Sequence, residues 1–293
     1  MHSACPPPRV GRLSDARCLL AAGLLCLAGS PLPGVAGAAA STGFTASWTN
    51  NTLTLLHPRL PGGALEVLYL EAFCRHGART QDWSRTTFRH KTTLLASRKS
   101  GRLLEFSTLV QPDVEVLHEV RAGGNEVEFR FRLSNRGNAH IDVDWFQPAC
   151  IRVDRFTGLN QADYIRKSFL FTDAGFTLMD RTRRTEEALY RGGQVYVPEG
   201  IPPDDANPRP VSLDRPINGL VGCVSADGEW MLATAFDSTH ELFQGVYVCL
   251  HADPHVGGLA PGQTRQVRGK LYLTRNDPNA LLKLYRRDFR AGR

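Results

Sequence analysis

Residues 126–133 read EVEFRFRL and alternate strictly between charged and apolar side chains. The apolar positions are Val127, Phe129, Phe131 and Leu133. Since side chains two residues apart point to the same face of a strand, this pattern predicts a β-strand with one buried face and one wet face. Residues 114–120 can pair with this strand across the turn residues 122–125, AGGN, so the two segments predict a β-hairpin.

Further apolar runs of strand length continue along the chain, separated by turn signals such as Asn50-Asn51 and Asp227-Gly228. These runs are residues 64–73, 102–110, 141–153, 220–224, 231–236, 243–250 and 267–274. Helical periodicity is clearest at the C-terminus, where Asp277 can cap a helix that starts at Pro278. The chain is therefore predicted to be all-β, an antiparallel β-sandwich with a short C-terminal helix. The proline-rich stretch 199–216 is expected to be an ordered surface loop or a lid.

The first 40 residues have the order of segments that is typical of an export signal. Arg9, Arg12 and Arg17 precede an apolar run at residues 18–28, and small residues follow at 36–40. The apolar run is shorter than the roughly 20 residues that a membrane-spanning helix needs. We therefore predict a signal peptide over residues 1–38, cleaved within residues 36–41, and a mature single domain over residues 39–293. The mature protein is expected to be secreted or periplasmic, without stable membrane insertion after cleavage.

The charge of the predicted mature chain is only mildly basic. It carries 32 Lys and Arg side chains against 28 Asp and Glu side chains. So small an excess does not indicate a nucleic-acid partner.

Four cysteines follow the predicted cleavage site, and they are Cys74, Cys150, Cys223 and Cys249. In an exported chain they permit two disulfides in any of three pairings, but each lies in an apolar segment and can equally be a buried free thiol. None belongs to a C-x-x-C motif, so a zinc knuckle is not expected. No metal and no cofactor is predicted.

Two segments carry a resemblance to a known family. Residues 133–138, LSNRGN, lead into residues 141–148, IDVDWFQP, and residues 259–263, LAPGQ, precede the strand at 267–273. Both passages resemble galactose-mutarotase-like supersandwich domains, which implies a supersandwich-like fold and a carbohydrate-related function. Where that family places its general-acid His, this chain has Gln147, and an amide does not titrate. Mutarotase chemistry at that position is therefore not expected.

The C-terminal residues 281–289, LLKLYRRDF, carry a second resemblance. They are similar to the ends of an uncharacterised family of exported bacterial proteins. This resemblance implies no activity.

The densest polar cluster is residues 74–91, CRHGARTQDWSRTTFRHK. It places Arg75 and His76 close in sequence to Trp83. An aromatic ring can stack on a pyranose while Arg, Asp and His side chains bind its hydroxyl groups or a carboxylate or sulfate group. A solvated loop with a buried Trp is the alternative interpretation. We expect Arg75, His76, Trp83 and His251 to share a ligand site, with Asp253 and Arg152 as further members.

A second polar cluster, residues 251–255, HADPH, combines donors that can bind a metal, with His240 upstream. Pro254 indicates that the strand ends there, so His251, Asp253 and His255 need not share a face. A polar loop at the strand end is the favoured interpretation. Asp142 and Asp144 could share a face as paired carboxylates, and Ser238 could be a nucleophile, but neither is supported by a complete motif.

Three functions stay open on the sequence. The first is an exported carbohydrate-binding protein or degenerate mutarotase relative, and the second is a carbohydrate-active epimerase, lyase or glycoside hydrolase. Such an enzyme would use His76, His90, His240 or His251 with an acidic partner. The third is a structural or interaction protein of the cell envelope. The sequence does not decide whether any reaction is catalysed.

Overall fold

The alternating segment 126–133 belongs to the strand Glu126–Asn135, and its apolar side chains are buried, as predicted. The structure is a computed structural model that describes residues 42–185 and 188–289, so the predicted signal peptide lies outside the described residues. In chain order the strands are β1 (Thr45–Thr49), β2 (Thr52–Leu56), β3 (Ala64–Cys74), β4 (His90–Arg98), β5 (Leu103–Val110), β6 (Val114–Ala122), β7 (Glu126–Asn135), β8 (Trp145–Arg152), β9 (Ser168–Thr172), β10 (Gly175–Leu178), β11 (Gln194–Tyr196), β12 (Val221–Val224), β13 (Trp230–Phe236), β14 (Glu241–Gly245), β15 (Cys249–Asp253) and β16 (Thr264–Arg275).

These strands form two antiparallel sheets. The seven-stranded sheet has the order β1-β2-β3-β8-β15-β14-β11, and the nine-stranded sheet has the order β10-β9-β12-β13-β16-β7-β6-β5-β4. The predicted hairpin is present, with Val114 opposite Asn135 and Ala122 opposite Val127. The prediction of an all-β antiparallel sandwich is confirmed.

The core lies between the two sheets, where side chains from alternate strand positions meet. Tyr69 on β3 contacts Phe106 on β5 with ring centroids 5.2 Å apart, and Phe131 on β7 contacts Phe146 on β8 at the same centroid distance. One continuous cluster of buried apolar side chains joins both sheets.

Helices are few and short. They are α1 (Trp83–Thr86), α2 (Asp154–Thr157), α3 (Gln161–Lys167) and α4 (Pro278–Phe289), with 3₁₀ turns at Ala78–Thr80, Met179–Arg181 and Pro203–Asp205. The predicted C-terminal helix is present, and the Asp277 carboxylate accepts hydrogen bonds from the backbone N–H groups of Asn279 and Ala280. Among the helices of residues 42–185 and 188–289, none has the length and apolar content to cross a membrane.

Two apolar runs fold differently from their prediction. Residues 243–250 are divided between β14 and β15 by a turn at 246–248, where Val248 adopts a positive φ of 55°. Val, Tyr and Val are unusual turn residues, so the sequence gives no sign of this turn except the preceding Gly245. Likewise the run at 141–153 forms a strand only from Trp145 to Arg152, and residues 142–144 lie outside the sheet.

Candidate functional site

The face of the seven-stranded sheet that points away from the core carries the polar side chains, and we call it the site face. On β15, Leu250 and Ala252 point into the core, while Cys249, His251 and Asp253 point to the site face. All five of these residues are at least 97% buried. On the neighbouring β8, Gln147, Cys150 and Arg152 line the same face, and the pairing of β8 with β3 shifts register between Gln147 and Cys150. Because β15 is buried on both faces, its polar side chains lie together in the protein interior.

A cavity of about 470 Å³ opens on the site face. Its walls combine four aromatic side chains with charged and amide groups. The lining residues that could contact a ligand through rings are Trp83, Tyr190, Phe243 and Tyr247, and those that could do so through polar groups are Glu71, Gln147, Arg152, Asn207, Arg209 and His251. This volume falls within the range of small-molecule sites.

Two chain segments cross over the site face and form the outer wall of the cavity. The Tyr190 hydroxyl donates a hydrogen bond to Asp82 at 3.1 Å and accepts one from the Trp83 backbone N–H at 3.4 Å. Arg79 donates to the backbone carbonyl of Arg209, whose own guanidinium lies 5.3 Å from the centroid of the Tyr190 ring. The polar stretch 74–91 is therefore tied to Tyr190 and, through Arg209, to the proline-rich loop 199–216.

His251 lies in the wall of the cavity between two carboxylates. Its Nδ1 atom is 3.5 Å from Asp253 Oδ1, and its Nε2 atom is 3.7 Å from Glu71 Oε2. Gln147 donates to the other oxygen of Asp253 at 3.2 Å, which fixes that carboxylate behind the imidazole. Burial raises the pKa of Asp253 to about 6, although the neighbouring His251 opposes this rise.

Two thiols adjoin His251. The sulfur atoms of Cys150 and Cys249 and an imidazole nitrogen lie within 4.8 Å of one another, and Cys249 Sγ is 3.6 Å from His251 Nε2. The hydrogen bond with Cys150, helped by His251, lowers the pKa of Cys249 to about 5 against the opposing effect of burial. Throughout the described chain the cysteines are buried free thiols, which is the second of the two alternatives that the sequence left open.

A second polar group lies further along the site face, and we call it the histidine–carboxylate cluster. Its members are His76, Asp144, Asp205, His240, Glu241 and His255. His240 is fully buried and stacks on Trp145, with ring centroids 4.7 Å apart and an interplanar angle of 6°. Burial opposes a charge on His240, but hydrogen bonds to Asp205 and Glu241 outweigh burial and raise its pKa to about 9.

The predicted site residues have different positions relative to the cavity. Trp83, Arg152 and His251 line it, and Asp253 lies directly behind His251. His76 belongs to the histidine–carboxylate cluster through its contact with Asp205 at 2.9 Å. The Arg75 guanidinium lies over the Phe88 ring, 3.8 Å from its centroid, where it packs on the aromatic face.

The other residues that the sequence offered for catalysis or metal binding lie outside the cavity wall or bond to the backbone. Ser238 donates to the backbone carbonyl of His255 at 2.7 Å, and His90 contacts the backbone carbonyl of Leu70 at 2.9 Å. Asp142 and Asp144 precede β8 and lie outside any strand, so the expected same-face pair is not formed. His255 faces Asp144 at 3.3 Å and so joins a different group from His251.

Several site residues were not predicted. They are Glu71, Tyr190, Asp205, Asn207, Arg209 and Glu241. Glu71 could have been recognised as the one acidic residue in the apolar second half of β3. The contributions of Asp205, Asn207 and Arg209 depend on how the proline-rich loop folds over the sheet, which local sequence does not specify.

The similarities of this chain to known proteins are to solved structures. No family model and no curated protein matches the chain. A solved structure from Synechocystis covers 79% of this chain and 95% of its own, with a TM-score of 0.42 and 9% identity. The chain is also similar to a galactose mutarotase-like protein from Lactobacillus casei, which covers 79% of this chain and 100% of its own, with a TM-score of 0.39 and 10% identity. A galactose mutarotase-like protein from Clostridium acetobutylicum covers 78% of this chain and 94% of its own, with a TM-score of 0.39 and 7% identity. Residues 133–138, 141–148 and 259–263 are the segments whose sequence resembles galactose-mutarotase-like domains.

Proposed function

We propose that the protein is exported and binds a carbohydrate of monosaccharide size in the cavity of the site face, with preference for a sugar that carries a carboxylate or sulfate group. The observation that carries this proposal is the composition of the cavity wall. Aromatic rings lie beside two arginines and several hydrogen-bonding groups, in a volume of about 470 Å³. Rings bind the apolar face of a pyranose, and guanidinium groups bind carboxylate or sulfate oxygens in pairs.

Arg152 supports an anionic ligand. Its Nε atom is buried and has no hydrogen-bond partner within residues 42–185 and 188–289. A buried donor without a partner costs about 1–3 kcal/mol, and a ligand oxygen in the cavity would remove that cost. Arg209, on the opposite loop, provides a second guanidinium in the same cavity.

Thermal unfolding of the purified protein with galacturonate, glucuronate, galactose and glucose tests the proposal. A ligand at a hundredfold excess over its Kd stabilises the native state by about 2.7 kcal/mol. We expect the uronates to raise the unfolding temperature, Trp83→Ala to abolish the rise for every sugar, and Arg152→Gln to abolish it only for the uronates.

Arg265→Gln is the matched control, because Arg265 lies exposed on β16 of the other sheet and its loss should leave the shifts unchanged. A response to neutral sugars alone would support a carbohydrate ligand but refute the preference for an anionic sugar. No response to any sugar, in a protein that unfolds cooperatively, would refute the proposal.

A second candidate function is acid–base catalysis on the bound sugar. The observation that favours it is the position of His251 between Asp253 at 3.5 Å and Glu71 at 3.7 Å, in the wall of the cavity. A histidine held by one carboxylate and adjacent to a second has the arrangement required for proton transfer. NMR of the sugar over time would detect anomer exchange or epimerisation faster than in buffer alone, and His251→Gln should return the rate to that of buffer while the binding shift persists. Binding without conversion in the wild type would leave only the binding function.

A further inference from the structure

We propose that the histidine–carboxylate cluster is a binding site for one divalent transition-metal ion of the zinc class. This site is separate from the cavity and does not depend on the sugar proposal. Its donor atoms are the ring nitrogens of His76, His240 and His255 and the carboxylate oxygens of Asp144 and Asp205.

The distances within the cluster fit donors around a single ion. His76 Nδ1 and His240 Nε2 both approach the same oxygen, Asp205 Oδ2, at 2.9 and 3.3 Å. Asp144 is 3.3 Å from His255 Nε2 and 3.9 Å from His240 Nε2. The donor atoms of His76, Asp144 and Asp205 all lie within 4.8 Å of one another, and His240 and His255 contact the same two carboxylates. Donors bound to zinc at about 2.0–2.2 Å lie roughly 3–3.5 Å from one another, so small movements would bring these three groups onto one ion, with a histidine of the remaining pair as the fourth ligand.

Unpartnered atoms within the cluster support a cation. Asp144 Oδ2 is buried, points toward His240 Nε2, and has no hydrogen-bond partner in the part of the chain that the structure describes. His240 Nε2 meets two carboxylates but can donate only one hydrogen. Three buried carboxylates, those of Asp144, Asp205 and Glu241, surround this one buried imidazole. Buried charge of one sign is costly unless it is paired, and a divalent cation would pair it.

The surrounding contacts already hold the ligands in place, as outer-shell contacts do in metal sites. Glu241 Oε2 approaches His240 Nδ1 to 3.5 Å, and the opposite ring nitrogen, Nε2, is the one directed at Asp205 and Asp144. The backbone N–H of Asn207 donates to that same Glu241 oxygen at 2.8 Å, and the backbone N–H of Gly77 donates to Asp205 Oδ1 at 2.5 Å. The Trp145 ring fixes the plane of the His240 ring from one side.

The site is accessible to an ion from solvent, because the side chains of His76 and His255 are 61% and 41% exposed. Imidazole nitrogens combined with carboxylate oxygens are typical ligands of zinc and the neighbouring transition metals, whereas magnesium and calcium prefer oxygen alone. The chemistry of the donors therefore indicates a transition metal.

Cys150, Cys249 and His251 are the competing metal ligands on the site face, and they must be distinguished by experiment. Thiolate ligands give Co²⁺ an intense charge-transfer absorption, whereas nitrogen and oxygen ligands give only weak ligand-field bands. The spectrum of the Co²⁺-loaded protein therefore identifies the donor atoms.

The full chain, stripped with EDTA and dialysed, is titrated with Zn²⁺ by calorimetry and with Co²⁺ by absorption spectroscopy. We expect one ion per chain and a Co²⁺ spectrum without a thiolate band. His76→Ala and His255→Ala should each raise the Kd at least tenfold. Both side chains are exposed, so both variants should fold. His140→Ala, which also removes an exposed histidine, should bind as the wild type does.

Three results would overturn the site. The first is an absence of Zn²⁺ and Co²⁺ binding by the wild type. The second is unchanged affinity in both His76→Ala and His255→Ala. The third is a thiolate band that Cys249→Ser removes while the two histidine variants keep it, which would place the ion on the thiols instead.

Discussion

His118 shows how strongly the interior of the sandwich controls a single titratable residue. It lies on β6 at 4% exposure, between the Tyr69 hydroxyl at 2.8 Å and the Thr108 hydroxyl at 2.9 Å. A neutral imidazole has one donor and one acceptor, so it can satisfy both hydroxyls at once. Burial lowers the pKa of His118 to about 3, and the ring therefore stays neutral at physiological pH.

This shift predicts a specific loss of stability in acid. The unfolded chain binds the His118 proton below about pH 6.5, whereas the folded chain does so only near pH 3. The contribution of His118 to stability is therefore complete above pH 6.5 and is lost as the pH falls from 6.5 towards 3, with a slope approaching about 1.4 kcal/mol per pH unit.

Urea unfolding from pH 7.5 down to pH 4 measures this slope. His118→Gln keeps a donor and an acceptor but cannot titrate, so the free energy of unfolding of the wild type should fall more steeply than that of the variant, by the equivalent of one proton. Parallel curves for the two proteins would contradict the assigned neutral state of His118.

The sequence could identify candidate residues by chemical type but could not decide which of them meet. The sequence identifies Trp83, Arg152 and His251 as aromatic, cationic and titratable groups, and all three line one cavity. Arg75 is the basic neighbour of His76 in the sequence, yet it packs on Phe88. The direction in which each side chain leaves a loop depends on contacts with distant residues, which a local pattern does not contain.

At the scale of the element, alternation was informative wherever a strand has one polar and one apolar face. β7 follows its prediction for this reason. β14 and β15 are buried on both faces, so their boundary at the turn 246–248 gives no change in hydropathy. The spacing of Cys249, His251 and Asp253 did carry the signal for the site, because three polar residues at every second position of a buried strand must share a face.

The two loops that cross the site face matter as much as the strands beneath them. Asp205, from the proline-rich loop 199–216, contacts both His76 of the other loop and His240, which directly precedes β14. The expectation of an ordered loop at 199–216 was therefore consistent with the structure, but its role as a source of site residues came only from three-dimensional contacts. Prolines fix the backbone of such a loop without showing what it covers.

At the scale of the whole molecule, the nine-stranded sheet also needs cover on the face that points away from the core. β13 places Leu232 and Phe236 in the core and Met231, Ala233 and Ala235 on the opposite face. Helix α4 covers this opposite face, with Leu281 fully buried there. Tyr272 also donates a hydrogen bond to Asp288 of the helix at 2.9 Å. The predicted C-terminal helix therefore covers the outer face of the nine-stranded sheet.

Removal of this cover should expose a continuous apolar surface. Leu281→Ala is expected to lower the free energy of unfolding by about 2–5 kcal/mol, because it leaves a cavity between α4 and the sheet. Lys283→Ala, on the exposed side of the same helix, should change the free energy of unfolding by less than about 0.5 kcal/mol.

A chain that ends at Asn276 loses the whole cover, so it should bind a hydrophobic dye at neutral pH and aggregate. Equal stability of the two point variants would mean that the packing of Leu281 against the sheet contributes nothing to stability.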